Sequence, residues 1–105
     1  MSMTYVATVV LQVRPSKRPE VISAIRQVMR GLRMTPGCVV CRSLTEADDD
    51  STLMVVSEWN SEEALEELLK SEEFLVLRGM RMLLQKSTQL VVDEVAARTV
   101  MILED

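Results

Sequence analysis

Residues 4–13 read TYVATVVLQV, a run rich in β-branched side chains that ends at Arg14-Pro15. This composition is typical of a β-strand. Successive side chains of a strand point to opposite faces of its sheet. One face would therefore carry Tyr5, Ala7, Val9, Leu11 and Val13, and the other Val6, Thr8 and Val10. Because neither set has many polar members, we expect a strand that buries both of its faces.

The stretch Leu53–Val56 shows the same shortage of polar positions on both faces. Helices can cover only one face of such a sheet, so the second face needs a partner. The simplest partner is another copy of the chain, and we expect a homodimer built on the helix-free face. The long C-terminal segment is expected to contribute to that interface.

The remaining pattern predicts helices and strands in a definite order. Pro19 suits the first turn of a helix, Asn60 can cap a second helix in a capping box with Glu63, and Ser71 can cap a third. The predicted elements are a strand over 4–13, a helix over 18–33, strands over 38–44 and 52–59 joined by a hairpin loop at 46–51, a helix after Asn60, a helix over 72–85, and a long strand over 88–103 or two strands joined at 96–98. This order predicts an α+β, ferredoxin-like fold in a single domain over 1–105, an antiparallel sheet with helices on one face.

Composition excludes several classes of function. The chain has 105 residues, 48% of them hydrophobic, a net charge of −4, and no histidine. Without histidine the commonest general base, Ser-His and Cys-His nucleophile pairs and most zinc sites are excluded. The negative charge and the scarcity of aromatic residues argue against nucleic-acid binding. No membrane span or signal peptide is recognisable, so we expect a cytoplasmic protein that does not bind membranes.

Cys38 and Cys41 form a C-x-x-C pattern, which on a turn or helix start indicates a redox or metal site. In a regular strand, residues three apart point to opposite faces and lie about 10 Å apart. A disulfide spans at most about 7 Å between Cα atoms. We therefore expect two free thiols and no metal. The run Asp48-Asp49-Asp50 lacks the glycine and distal glutamate of a calcium loop and is expected to be a solvated hairpin tip.

Three stretches carry a family resemblance: TPGC at 35–38, SEWNSEEAL at 57–65 and LKSEEF at 69–74. In these motifs the sequence resembles the antibiotic biosynthesis monooxygenase family. The resemblance implies a dimeric α+β barrel made of two ferredoxin-like sheets. Members of that family include cofactor-free oxygenases of polyphenols or quinols, heme-degrading enzymes, and proteins without demonstrated catalysis.

Two positions separate these branches. The position before Leu69 often carries His in quinol-oxygenase-like members and Trp in heme-degrading ones, and here it is Leu68. Heme-degrading members also carry a histidine four residues after the motif phenylalanine, where this chain has Arg78. The heme-degrading residues are therefore absent, and the resemblance implies chemistry without a cofactor.

The candidate site residues depend on where a substrate pocket would lie. If a pocket lies between the last helix and the sheet, Arg78 would be its catalytic residue, because an arginine there stabilises a phenolate that reacts with oxygen. Tyr5, Trp59, Leu68, Leu75 and Met82 are the candidate lining of the substrate pocket. Packing is the alternative role for Tyr5 and Trp59, and a solvated helix face is the alternative for Arg78.

Two functions remain open at this point. The first is a cofactor-independent monooxygenase acting on a small phenolic or quinol-type aromatic. The second is a non-catalytic ligand-binding or interaction dimer of the same fold, which the missing histidine favours. Fold alone does not choose between them.

Overall fold

A four-stranded antiparallel sheet forms the base of the fold in the computed structural model, which describes residues 3–104. The strands lie in the order β2-β3-β1-β4. The elements in chain order are β1 (Thr4–Gln12), α1 (Arg18–Arg33), β2 (Cys38–Glu46), β3 (Asp49–Trp59), α2 (Glu62–Lys70), α3 (Glu72–Arg78) and β4 (Gln89–Val95). Short 3-10 segments precede α1 at Pro15–Lys17 and follow α3 at Gly79–Leu83. The α+β, ferredoxin-like fold predicted from the sequence is confirmed.

The helices pack on one face of the sheet and enclose the core with it. The inward side chains of β1 are Ala7, Val9 and Leu11, opposite Ser57, Val55 and Leu53 of β3. These side chains are buried, and Val21, Ile25, Val28 and Leu32 of α1 pack over them. Removing this apolar area from water stabilises the fold by roughly 25 cal/mol per Å². The opposite face, which includes Val10, Met54 and Val91, carries no helix.

The predicted end of β2 and the predicted start of β3 are both wrong. The hairpin between β2 and β3 turns over Ala47 and Asp48, because Glu46 already pairs with Asp49. Asp49 starts β3 rather than the loop, and its carboxylate accepts hydrogen bonds from the Ser51 backbone N–H at 3.0 Å and from the Thr52 hydroxyl at 2.8 Å. The Ser51 hydroxyl also donates to this carboxylate, and the hydrogen bonds from that hydroxyl, the Thr52 hydroxyl and the Ser51 N–H together lower the pKa of Asp49.

The later elements also differ from the prediction. Ser61, not Asn60, caps α2, because its hydroxyl accepts the Ala64 N–H at 3.1 Å. The last helix ends at Arg78 and continues as a 3-10 turn, whereas a helix to residue 85 was expected. The final strand covers Gln89–Val95 only, and residues 97–104 belong to no helix or strand in the described part of the chain.

A β-bulge at Val39 changes the relationship between the two cysteines. Cys38 pairs with Trp59 and Cys41 with Ser57, so three steps along β2 match two along β3. Both cysteines therefore lie on the helix-covered face, and the expectation of opposite faces is wrong. Both are free thiols in the structure. Within residues 3–104, no helix is long and apolar enough to cross a membrane.

Candidate functional site

A cavity of about 340 Å³ lies between the end of α3 and β4. The cavity exists because the helices pack over β1, β2 and β3 but leave the inward face of β4 open. Leu90 of β4 is consequently 38% exposed although it points toward the helices. The lining residues are Phe74, Arg78, Arg81, Ser87, Thr88 and Leu90.

The switch from α-helix to 3-10 helix places two arginines together. Ser71 caps α3 through a hydrogen bond from the Phe74 N–H to its hydroxyl at 3.2 Å, and α3 then buries Phe74. After Gly79 the chain has about three residues per turn, so side chains three apart are stacked. Arg78 and Arg81 have this spacing, and both reach the cavity.

The segment that follows the 3-10 helix is fixed to the end of β1. The Gln85 N–H donates to the Gln12 carbonyl oxygen at 2.7 Å, and Arg14 Nε donates to the Leu84 carbonyl oxygen at 3.1 Å. Arg81 Nη1 lies 3.4 Å from that same carbonyl oxygen. One end of the cavity is thus held by backbone contacts, and Ser87 and Thr88 follow directly from it.

The cavity is electropositive. Among residues 3–104 the one ion pair joins Arg98 to Glu58, so no carboxylate neutralises Arg78 or Arg81. No acidic residue is among the lining residues named above. Two unpaired guanidinium groups beside Phe74 and Leu90 suit a flat or apolar ligand that carries negative charge. In the described part of the chain, no three His, Cys, Asp or Glu side chains converge as a metal site.

The family comparison matches most of the chain. The model for the antibiotic biosynthesis monooxygenase family matches residues 4–78. The chain belongs to the antibiotic biosynthesis monooxygenase family. The match ends at Arg78, so Arg81, Ser87, Thr88 and Leu90 of the cavity lie beyond it. Among curated proteins there is no match.

Solved structures show the same architecture. A conserved protein from Methanosarcina mazei has a TM-score of 0.80 and 20% identity, over 87% of this chain and 91% of that one. The Rv0793 protein from Mycobacterium tuberculosis has a TM-score of 0.77 and 19% identity, over 97% of both chains. A structure named as an antibiotic biosynthesis monooxygenase has a TM-score of 0.76 and 16% identity, over 90% of this chain and 99% of that one. At these identities the likeness shows the fold.

The sequence-predicted site residues do not all meet in the cavity. Arg78 lines it, but Trp59 and Leu68 are buried in the core at 0% and 2% exposure and are not among its lining residues. The indole Nε1 of Trp59 donates to the Ser57 hydroxyl at 2.8 Å inside that core. Trp59 therefore fixes the junction of β3 and α2. Trp59 and Leu68 are thus core residues and not part of this cavity's lining.

Leu75 and Met82 are also placed outside the cavity. They are 56% and 83% exposed. The reason is the helix geometry: with Phe74 and Leu77 turned inward, Leu75 points away from the sheet, and the 3-10 turn buries Met80 and leaves Met82 outside. Neither Leu75 nor Met82 is therefore among the lining residues beside Arg78.

Tyr5 lies at the other end of the sheet. It pairs with Glu94 of β4, whereas Leu90 pairs with Val9, four residues or roughly 13 Å farther along β1. Burial, followed by the nearby carboxylates of Glu62, Glu94 and Glu63, raises the pKa of Tyr5. Its phenol stays protonated at neutral pH and can donate a hydrogen bond, but it is not a lining residue of the cavity between α3 and β4.

Of the lining residues, only Arg78 was among the site residues predicted from the sequence. Ser87, Thr88 and Leu90 belong to a tail predicted as one long strand, in which no position was distinguishable from its neighbours. Arg81 was not among the predicted site residues, because an α-helix was expected through residue 85. Gly79 after the charged end of α3 was the available signal that the helix stops there.

Proposed function

We propose that this family member is a cofactor-independent monooxygenase that acts on a small phenolic or quinol-type aromatic bound between α3 and β4. The observation that carries the proposal is the pair of unneutralised arginines, Arg78 and Arg81, in a cavity that also contains Phe74 and Leu90. Membership of a family named for monooxygenases supports the reaction class. An apolar, cationic cavity binds the ionised form of a phenol better than its neutral form.

In the proposed mechanism the substrate supplies the electrons. Arg78 is the catalytic residue: its guanidinium stabilises the phenolate, which is the electron-rich form that reacts with oxygen. The O–O bond breaks as the phenol is oxidised to a quinone: one oxygen atom becomes a ring carbonyl in place of a C–H hydrogen, and the other leaves as water with that hydrogen and the phenol proton. The protein contributes orientation, partial exclusion of water and preorganised positive charge.

The proton of the phenol leaves to solvent or to a group of the substrate. The buried carboxylate of Glu58 is not placed to accept this proton. It lies on the uncovered face of the sheet, opposite Val6, and is paired with Arg98. The sheet therefore separates Glu58 from the cavity, and no lining residue is a carboxylate or histidine.

The pair of arginines in the cavity also supports a second candidate function, a non-catalytic dimer that binds an aromatic anion. A cavity that offers two cations but no protein base is sufficient for binding. Oxygen consumption by metal-free and flavin-free protein, measured with a panel of hydroquinones and anthrols, separates the two functions. Substrate-dependent uptake supports the monooxygenase. Saturable binding of panel members without uptake supports the binding protein.

We also propose that the protein acts as a homodimer through the helix-free sheet face. Val6, Val10, Met54 and Val56 form a half-buried apolar surface there, and Val91 of β4 extends it. The tail adds the apolar run Val100–Leu103, whose side chains are exposed in the single chain. An exposed apolar surface of this extent is typical of a protein interface. A cytoplasmic location remains the expectation from the sequence.

A further inference from the structure

A second cavity, of about 230 Å³, lies between α1 and the β2–β3 hairpin. The strand order places it at the β2 edge of the sheet, whereas the cavity between α3 and β4 is at the β4 edge. Ile22 of α1 and Leu53 of β3 provide apolar lining, and Leu53 is buried. No residue is shared between the two cavities.

Two arginines and two hydroxyls line this second cavity. Arg18 and Arg26 are eight positions apart on α1, which corresponds to about 12 Å along the helix axis. Ser43 and Thr45 of β2 pair with Val55 and Leu53, so they lie on the helix-covered face of the strand. Each hydroxyl can donate one hydrogen bond to a ligand.

Neither arginine of this cavity forms an ion pair within the described residues. The ion pair between Arg98 and Glu58 is the one recorded there, and it involves neither Arg18 nor Arg26. Arg18 Nε donates to the Asp50 carbonyl oxygen at 3.0 Å, which anchors its guanidinium at the hairpin without neutralising it. The lining itself contains two cations and no carboxylate, although the chain has a net charge of −4 and the adjacent hairpin carries Glu46 and Asp48–Asp50.

We propose that this cavity is a second binding site, separate from the oxygenase site, for a small amphipathic carboxylate. The ligand's apolar body packs against Ile22 and Leu53, and its carboxylate binds Arg26, with Arg18 and the hydroxyls of Ser43 and Thr45 as further donors. Arginine presents parallel N–H groups that match the two oxygens of a carboxylate. The cavity is smaller than the roughly 300–1,000 Å³ usual for drug-sized ligands, so the ligand has a single ring or a short branched chain.

The test is an amide NMR titration of the ¹⁵N-labelled full chain with benzoate, cyclohexanecarboxylate and the neutral isostere benzamide. We expect saturable shifts of the Ser43 and Thr45 amides with the carboxylates and much weaker shifts with benzamide. Arg26→Gln should weaken the affinity about 10- to 100-fold, because it removes charge-assisted hydrogen bonds. Arg30→Gln, an exposed arginine of α1 outside the lining, is the matched control and should leave the affinity unchanged.

The readout separates this site from the oxygenase site. Shifts confined to the amides of Thr88 and Leu90 would place the carboxylate in the cavity between α3 and β4 and overturn the proposal. It is equally overturned if no carboxylate gives saturable shifts at Ser43 and Thr45, or if Arg26→Gln and Arg30→Gln weaken binding alike. Neither result would bear on oxygen uptake, so the proposed reaction is tested independently.

Discussion

Arg98 Nη1 donates to Glu58 Oε1 at 2.7 Å and ties the C-terminal tail to the helix-free face of the sheet. Glu58 is the buried partner and Arg98 the more exposed one. A buried carboxylate on a largely apolar surface is costly unless it is paired. The ion pair therefore holds the tail at Arg98 against the face that we propose as the dimer interface.

Removing this pair should free the tail. We expect Arg98→Ala to destabilise the fold by about 1–2 kcal/mol and to increase protease cleavage within residues 97–104, because Glu58 loses its cationic partner. Glu58→Gln in the same background should recover part of the loss. Urea unfolding of the two single variants and the double variant measures the coupling. A coupling energy of zero would show that the ion pair does not hold the tail.

Gly37 is required at the turn before β2. Its φ is +90°, and a Cβ there would lie 2.5 Å from Ala64 Cβ and 3.1 Å from Asn60 Oδ1. We expect Gly37→Ala to destabilise the protein by about 2–4 kcal/mol, from backbone strain and overpacking together. The control is Gly79→Ala, which meets no atom within 4 Å. Equal midpoints for both variants in thermal unfolding would contradict the argument.

The sequence predicted the sheet well because its strands carry the signal directly. Residues 4–13 have β-branched side chains on both faces, and the strand forms over Thr4–Gln12. The amphipathic helix over 18–33 also has the predicted bounds, since Pro19 and the turn at 35–37 delimit it. The bulge at Val39 could not be predicted, because it depends on how β2 registers against β3 rather than on any local preference.

The site was less predictable for the same kind of reason. Arg78 was found through the family motif, but its companions come from the 3-10 turn and from β4, which are brought together by tertiary packing. Trp59 and Leu68 were expected in the pocket and are core residues, because α2 and α3 turn their apolar faces inward. A residue's place in a motif does not fix which side of the helix layer it reaches.

The two cysteines should differ in reactivity. Burial, and then the neighbouring Cys38 thiol, raise the pKa of Cys41 to about 11, and burial raises the pKa of Cys38 as well. Iodoacetamide at pH 8 should modify Cys38 slowly and Cys41 more slowly still, since the thiolate is the nucleophile. Mass spectrometry of native and denatured protein measures both rates. Faster labelling of Cys41 than of Cys38 would contradict the burial argument.

The same shift predicts a loss of stability at alkaline pH. Cys41 is held neutral in the folded state, whereas it ionises near pH 9 when the chain unfolds. The neutral Cys41 thiol therefore adds its full contribution to the free energy of unfolding below pH 9, and this contribution is lost as the pH rises toward 11. Cys41→Ala should flatten this part of the stability profile, measured by urea unfolding at several pH values. An unchanged slope would exclude Cys41 as its cause.

If the helix-free face is the dimer interface, a charged side chain should disrupt the dimer on that face but not on the helix side. Val91 on the helix-free face and Val76 on α3 are similarly exposed, at 45% and 47%. In a homodimer that uses the helix-free face, Val91→Lys should produce monomers, because it places a charge in an apolar interface, whereas Val76→Lys should leave the dimer intact. Light scattering coupled to size exclusion at micromolar concentration measures both. A folded monomer for the unmodified chain would refute the dimer.

Arg78 should determine turnover if the protein is an oxygenase. Removing one preorganised donor that stabilises a developing anion typically lowers kcat by about 10²–10³. We expect Arg78→Ala to show this loss in oxygen uptake with a reactive hydroquinone or anthrol, and Arg81→Ala a loss in the same direction, since both guanidinium groups line the cavity. Arg30→Ala removes an equal charge from an exposed position of α1 outside that lining and should turn over normally, which separates a local effect from a change in net charge.

The pH profile gives a second readout: without Arg78 the apparent pKa of the bound phenol should rise toward its value in water, and turnover should recover at alkaline pH. Normal turnover by Arg78→Ala at neutral pH would move the reaction to a different part of the molecule.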